Sequence, residues 1–324
     1  MMYSLPYKTK QFFFVLIKLS IVVGAFYFIY QKLANNDALN FSDFTSFLLK
    51  NNIFSTKNIF FLLILSFFNW FFEILKWQHL VSFIKKISFK NAMEQSLGAL
   101  TASLFTPNRI GEYGAKAIYY TSNLRKRIML VNLMSNLLQM SVTTILGVIG
   151  LRFYILEYDP EINYYKLSRF LVLVLLTLLL VGFGITKSRF TIKGFSLEKV
   201  KRFVVEYPKS KLLLGFLFSV IRYLIFSFQF CMLLQIFQVN LSYLNAMTII
   251  TSMYLLASII PTIFIFDVII KGSVAVYVFS LADVNELVVL SIITIMWLLN
   301  FVIPSLFGSY YVLDFNFQKS QDKI

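Results

Sequence analysis

The chain has 324 residues, 58% hydrophobic and 14% charged, with 30 Lys and Arg against 15 Asp and Glu for a net charge of +15. Globular domains hold about 45–50% apolar and about 25% charged residues. A soluble fold of this length cannot hide so much apolar surface, so an ordinary aqueous domain is excluded. The basic excess lies between apolar runs, where retention of Lys and Arg on the cytoplasmic side accounts for it, and no nucleic-acid partner is expected. Cys231 is the only cysteine and His79 the only histidine, so neither an intrachain disulfide nor a Cys/His metal cluster can form. No cofactor or metal is expected.

In chain order, the first apolar run covers 11–30, behind Lys8 and Lys10. It is too long for a signal-peptide core and lacks a small-residue cleavage site after it, so it reads as a retained span. The second run, 58–84, carries Glu73 and Lys76. Lys76 is within snorkelling reach of the cytoplasmic interface, and His79 is expected at that interface. Residues 91–120 are apolar but broken by Pro107. Each arm holds about 15 residues, about 23 Å of helix, against the roughly 30 Å hydrocarbon core. A re-entrant hairpin fits better than two spans.

The turn of that hairpin reads Thr106-Pro107-Asn108-Arg109-Ile110-Gly111-Glu112-Tyr113-Gly114-Ala115-Lys116. Thr106 can cap a helix whose first residue is Pro107. Arg109, Glu112 and Lys116 would then fall on one face, at i, i+3 and i+7. Gly111 and Gly114 would admit another backbone.

Further spans follow at 128–151, 168–186, 212–238 and 287–310. The loop Glu157-Tyr158-Asp159-Pro160-Glu161 places three carboxylates between two of them, and a solvated loop is the plainer reading than a metal or base site. The run 212–238 carries Arg222 near its middle and Cys231, expected as a buried inert thiol. A second broken stretch, 245–280, contains Pro261, Asp267 and Lys271, and its later arm is apolar enough to leave a full crossing open.

With the N-terminus inside, the inner segments sum to +15 and the outer ones to −1, the largest inner contribution being +6 from 187–211. That asymmetry puts both termini in the cytoplasm of a multi-pass protein of the plasma membrane. The expected fold is an all-α integral membrane protein of one transmembrane domain, 1–324, with about six transmembrane helices and two re-entrant hairpins.

A shift of 154 residues lays Ile87-Ser88-Phe89-Lys90-Asn91-Ala92-Met93 on Leu241-Ser242-Tyr243-Leu244-Asn245-Ala246-Met247, and Pro107 on Pro261. The repeats run about 58–120 and about 212–280. Their first spans point in opposite directions, so the repeat is inverted, an arrangement many secondary transporters place around a midplane site. Packing after an old duplication is the plainer alternative.

Charges at membrane depth cost about 2.5–3.5 kcal/mol each on insertion scales. Three acids, Glu73, Glu112 and Asp267, face five bases, Lys76, Arg109, Lys116, Arg222 and Lys271. The surplus suits an anionic headgroup, with Arg109, Glu112, Lys116, Arg222, Asp267 and Lys271 as the candidate substrate-binding residues. In the competing reading, Glu112–Lys116 and Asp267–Lys271 merely neutralise each other.

On these residues the chain resembles the lysylphosphatidylglycerol synthase transmembrane region family, the flippase-like domain of the multiple peptide resistance factors. The likeness spans about 12–310 and rests on Pro107-Asn108-Arg109-Ile110-Gly111-Glu112, similar to a Pro-Gly-Arg-x-Gly-Glu hairpin, and on Pro261 followed by an acid and a base. Asn108 departs from the family's Gly, and 263–266 lacks the glycines common after the second proline. The resemblance implies movement of an anionic or aminoacylated phospholipid, or a lipid-linked substrate, between leaflets. An aminoacyl-transfer domain follows in the synthases; this sequence ends shortly after Asp314, so that activity is not expected of it. The competing class is an enzyme or partner scaffold in lipid-linked glycan or phospholipid metabolism. The implied partners are membrane lipids, with a second copy of the chain or a separate lipid-modifying enzyme beside them.

Overall fold

The computed structural model describes residues 55–104, 106, 110–160, 197–259 and 267–315, for 197–199 and 267–270 the backbone alone. The expected spans 11–30 and 168–186 and the turns at Pro107 and Pro261 lie outside these residues. Among the described residues every regular element is helical: α1 Thr56–Val81, α2 Phe89–Ser103, α3 Gly111–Ala117, α4 Arg125–Tyr158, α5 Leu197–Glu206, α6 Lys209–Ile236, α7 Tyr243–Ile259, α8 Asp267–Ser280, α9 Glu286–Trp297 and α10 Ile303–Asp314. A π-helical segment, Leu298–Val302, joins α9 to α10.

Four rods, α1, α4, α6 and the stretch Glu286–Asp314, are long and apolar enough to cross a membrane. Each turns large apolar side chains outward, among them Phe67, Phe153, Leu213 and Phe307. In water such faces would be a liability; against lipid they are the expected surface. The chain is a multi-pass membrane protein.

The helix starts follow from local chemistry. Ser88 begins α2 by accepting the Asn91 amide at 3.2 Å, and Ser242 begins α7 by accepting the Asn245 amide, also at 3.2 Å. These serines and asparagines are the residues that the 154-residue shift superposes, so the short sequence match is a helix N-cap written twice. The Thr106 hydroxyl is engaged twice. Its hydroxyl donates to the Ser103 carbonyl at 2.8 Å and accepts the Gly111 amide at 2.9 Å. The described helix α3 begins at Gly111, and the expected first turn at Pro107 lies outside the described residues.

The break between α9 and α10 has an identifiable cause. Pro304 stands at the start of α10 and has no N–H to give to the carbonyl four residues back, that of Asn300. The wider π turn relieves the clash, and the Trp70 indole N–H donates to the Asn300 carbonyl at 3.0 Å instead. Ser66 does the same for the Leu299 carbonyl at 2.6 Å. A helical irregularity is thus tied to α1.

The long helices pack antiparallel in pairs. Along α1, residues of falling number meet rising ones around α6: the Leu80 carbonyl accepts from Tyr207 Oη at 2.6 Å, Asn69 from Arg222, and the Leu62 carbonyl from Gln229 at 3.0 Å. α4 meets α7 where Gly147 lies against Leu255 and Gly150 against Thr251. α10 meets α2 where Gly308 lies against Leu97 and Thr101, and the Thr101 hydroxyl reaches the Ser305 carbonyl at 2.9 Å. These glycines let two backbones approach.

Gly114, expected to do the same, does not: nothing stands within 4 Å of where its Cβ would be. Replacing Gly308 by Val should therefore lower the thermal stability of the detergent-solubilised protein by about 1–3 kcal/mol, because the added carbon meets the Leu97 backbone. Gly114→Ala should leave it unchanged or raise it by up to about 1 kcal/mol through helix propensity. A thermal unfolding series on the two variants checks both signs.

Candidate functional site

The site begins on one face of α1. Asn69, Glu73 and Lys76 are spaced i, i+4 and i+7, so three polar side chains stack on one stripe of an otherwise apolar helix, and all three are buried. Opposite them stands Arg222, 13 residues after the start of the 28-residue α6 and so about 20 Å from either end. Its guanidinium contacts Glu73 Oε2 through Nη1. Lys76 Nζ reaches the same oxygen at 2.8 Å. One carboxylate oxygen thus holds two cations, at a depth where a lone charge is costly.

Neutral groups complete the setting. Arg222 Nη1 also donates to Gln139 Oε1 on α4 at 3.1 Å. Its Nε donates to the Asn69 carbonyl at 3.1 Å and to Asn69 Oδ1 at 3.2 Å. Asn69 passes the chain on, donating to Asn300 Oδ1 at 2.9 Å. Asn300 donates to Gln229 Oε1 at 2.9 Å and to the Met296 carbonyl at 3.0 Å. The buried amide of Asn300 is thereby satisfied from the π segment to α1 and α6.

A second group lies beside the first. Lys116 on α3 is 1% exposed and donates to Glu112 Oε1 at 2.7 Å and to Asn132 Oδ1 on α4 at 2.9 Å. Its ammonium also stands 4.2 Å from the centre of the Trp77 ring. Trp77 is held in turn, donating to Gln95 Oε1 at 2.8 Å, and Tyr120 donates to the same oxygen at 2.9 Å. Lys116 is also an electrostatic neighbour of Glu73. The two groups therefore form one polar interior bounded by α1, α3, α4 and α6.

Of the residues expected to bind substrate, the structure brings Glu112 and Lys116 together as the expected pair and couples Arg222 to Glu73. Lys76 does not snorkel: it is 1% exposed and directed at Glu73, because a partner within the helix bundle is nearer than water. Arg109 and the side chain of Asp267 lie outside the described residues. Lys271 is exposed on α8, in a setting unlike that of Arg222 and Lys116. Cys231 is buried in an apolar cluster, as expected.

Asn69, Gln139, Asn132, Gln229 and Asn300 join the site without having been expected there. Their signal in the sequence is an uncharged amide inside an apolar span, with Asn69 one turn from Glu73. Their partners leave no such signal, since Arg222 and Glu73 are 149 residues apart.

The charge count orders the substitutions. Glu73→Gln strands two buried cations, whereas Arg222→Gln leaves a neutral Glu73–Lys76 pair. Glu73→Gln should therefore cost about 3–5 kcal/mol and Arg222→Gln clearly less. Thermal unfolding of the two variants in detergent reads the order; equal losses would contradict the shared-carboxylate account.

Residues 15–308 match the protein family described as "Lysylphosphatidylglycerol synthase TM region". No curated protein and no solved structure matches the chain. With the family match covering nearly the whole sequence, the chain belongs to the lysylphosphatidylglycerol synthase transmembrane region family.

Proposed function

We propose that this protein moves an anionic phospholipid between the leaflets of the plasma membrane, with both termini in the cytoplasm. The observation that carries the reading is the buried group in which a single Glu73 oxygen holds both Lys76 and Arg222. With Glu112 and Lys116 neutralising each other, Glu73, Lys76 and Arg222 leave one positive charge in the interior. A phosphodiester carries one negative charge and balances it. A headgroup phosphate entering from either side competes with Glu73 for Arg222 and loosens the contact that fixes α1 to α6.

The architecture proposed around this site is an inverted repeat. Supporting it are the antiparallel course of α1 and α6, the paired caps at Ser88 and Ser242, and helix bounds that correspond at an offset near 154 residues. The correspondence extends beyond the two hairpins, since α4 occupies the place in the first half that α9–α10 occupies in the second. The hairpin helices also pack reciprocally, α2 on α10 of the other half and α7 on α4. Rocking of the two halves about the α1–α6 crossing supplies alternating access. α2 and α8, with 15 and 14 residues, reach about 23 and 21 Å, short of the hydrocarbon core, as the re-entrant reading requires.

Purified protein in liposomes should move a fluorescent phosphatidylglycerol between leaflets without added nucleotide, and faster than phosphatidylcholine. Arg222→Gln should slow phosphatidylglycerol at least tenfold. Equal rates for both lipids, unchanged by the substitution, would remove the headgroup site; no transport of either would favour an enzyme or scaffold in lipid metabolism.

A further inference from the structure

Lipid movement through the charged groups leaves two buried donors unexplained. Asn132 Nδ2 and Ser135 Oγ have no hydrogen-bond partner, and both residues are 0% exposed. An unsatisfied donor in the interior is costly, and native structures hold few. The Asn132 amide is oriented by its other end: Oδ1 accepts from Lys116, which turns Nδ2 away from that cation.

Ser135 differs from several helical hydroxyls among the described residues. Ser141, Thr143, Ser219, Thr251 and Ser252 all donate back to the carbonyl four residues earlier. That is the ordinary resting place of a hydroxyl in an apolar helix. Ser135 does not use it. Ser96 and Ser291 are also without partners, but neither lies between two residues that hold buried cations.

The position of Ser135 is what gives the orphan its meaning. Asn132, Ser135 and Gln139 are spaced i, i+3 and i+7, hence on one face of α4. Asn132 holds Lys116 at one end of this face and Gln139 holds Arg222 at the other, about 10 Å apart along the axis. Two free donors therefore stand between two cations, beside Glu73, which already serves both Lys76 and Arg222. The interior is short of acceptors and of negative charge at the same place.

We infer that the Asn132–Ser135 face of α4 is the neutral half of an anion site, at which a phosphodiester oxygen accepts from Asn132 Nδ2 and Ser135 Oγ while Lys116 and Arg222 flank it. The assignment rests on the proposed lipid translocation and adds to it the residues that recognise the phosphate without charge. It also explains why α4 presents amides and a hydroxyl to the charged stripe of α1: neutral donors bind the anion without adding to a positive surplus that must persist when the site is empty.

The test is binding of dihexanoyl phosphatidylglycerol to the full chain in detergent, read by calorimetry, with inorganic phosphate as a second probe. Two variants separate ligand from structure. Ser135→Ala removes only a hydroxyl that bonds nothing in the empty protein. Asn132→Asp keeps the oxygen that accepts from Lys116 while losing the free donor and adding a repelling charge. Ser135→Ala should weaken the short-chain lipid about tenfold and Asn132→Asp more, with thermal stability of the empty Ser135→Ala protein unchanged or higher. Parallel weakening of inorganic phosphate assigns the shared anion chemistry; weakening of phosphate alone, with the lipid unbound, assigns the site to the free ion and overturns the lipid assignment. Unchanged lipid affinity in both variants would overturn the site and leave the donors to buried water. Weakened binding in a protein that transports no lipid would keep the site and remove the translocase reading.

Discussion

Among the described residues, the charged interior is arranged around a shortage of negative charge where α1 crosses α6. Arg222 lies at the middle of α6, and its only compensating carboxylate among the described residues, Glu73, is shared with Lys76. In a medium without water neither cation can be left alone. The side chains of Asn69 and Gln139 therefore accept further guanidinium hydrogens, from Nε and Nη1. Asn300 then secures Asn69, and the π turn that positions Asn300 is itself a consequence of Pro304. Local backbone chemistry at the end of the chain is thereby coupled to a charge in the first described helix.

Such a cluster is weak evidence for stability, since burying an ion pair returns little beyond its desolvation cost. An apolar α1–α6 contact, like the glycine contacts of Gly150 on α7 and Gly308 on α2, would hold the bundle as well. Stability alone therefore does not account for five charged side chains in this interior. Large apolar side chains such as Phe67, Phe153, Leu213 and Phe307 face outward from the long helices, as contact with lipid requires.

Much of this fold is legible in the order of residues alone, for physical reasons that differ by feature. Spans are local, so the runs 58–84, 128–151, 212–238 and 287–310 correspond to α1, α4, α6 and α9–α10. α4 runs beyond its apolar run at both ends, from Arg125 to Tyr158, because a helix continues through polar residues until the left-handed Asp159 stops it. Caps are local too, and the Ser-x-x-Asn match at 88 and 242 marks two helix starts. The pairing of Glu112 with Lys116 follows from i, i+4 spacing, whereas the pairing of Glu73 with Arg222 and of Lys116 with Asn132 depends on how distant helices meet. Sequence spacing carries no information on that.

The central claim is that the charge-deficient interior serves lipid movement between leaflets. It is tested most directly in cells, by leaflet-resolved lipidomics of strains that lack the protein, carry it, or carry it with Arg222→Gln, a change that leaves the neutral Glu73–Lys76 pair in place. The account predicts that loss of the protein shifts an anionic or aminoacylated phospholipid between leaflets, that the native chain restores the distribution, and that the inserted Arg222→Gln variant does not. An unchanged leaflet distribution in all three strains, or full restoration by the variant, would contradict it.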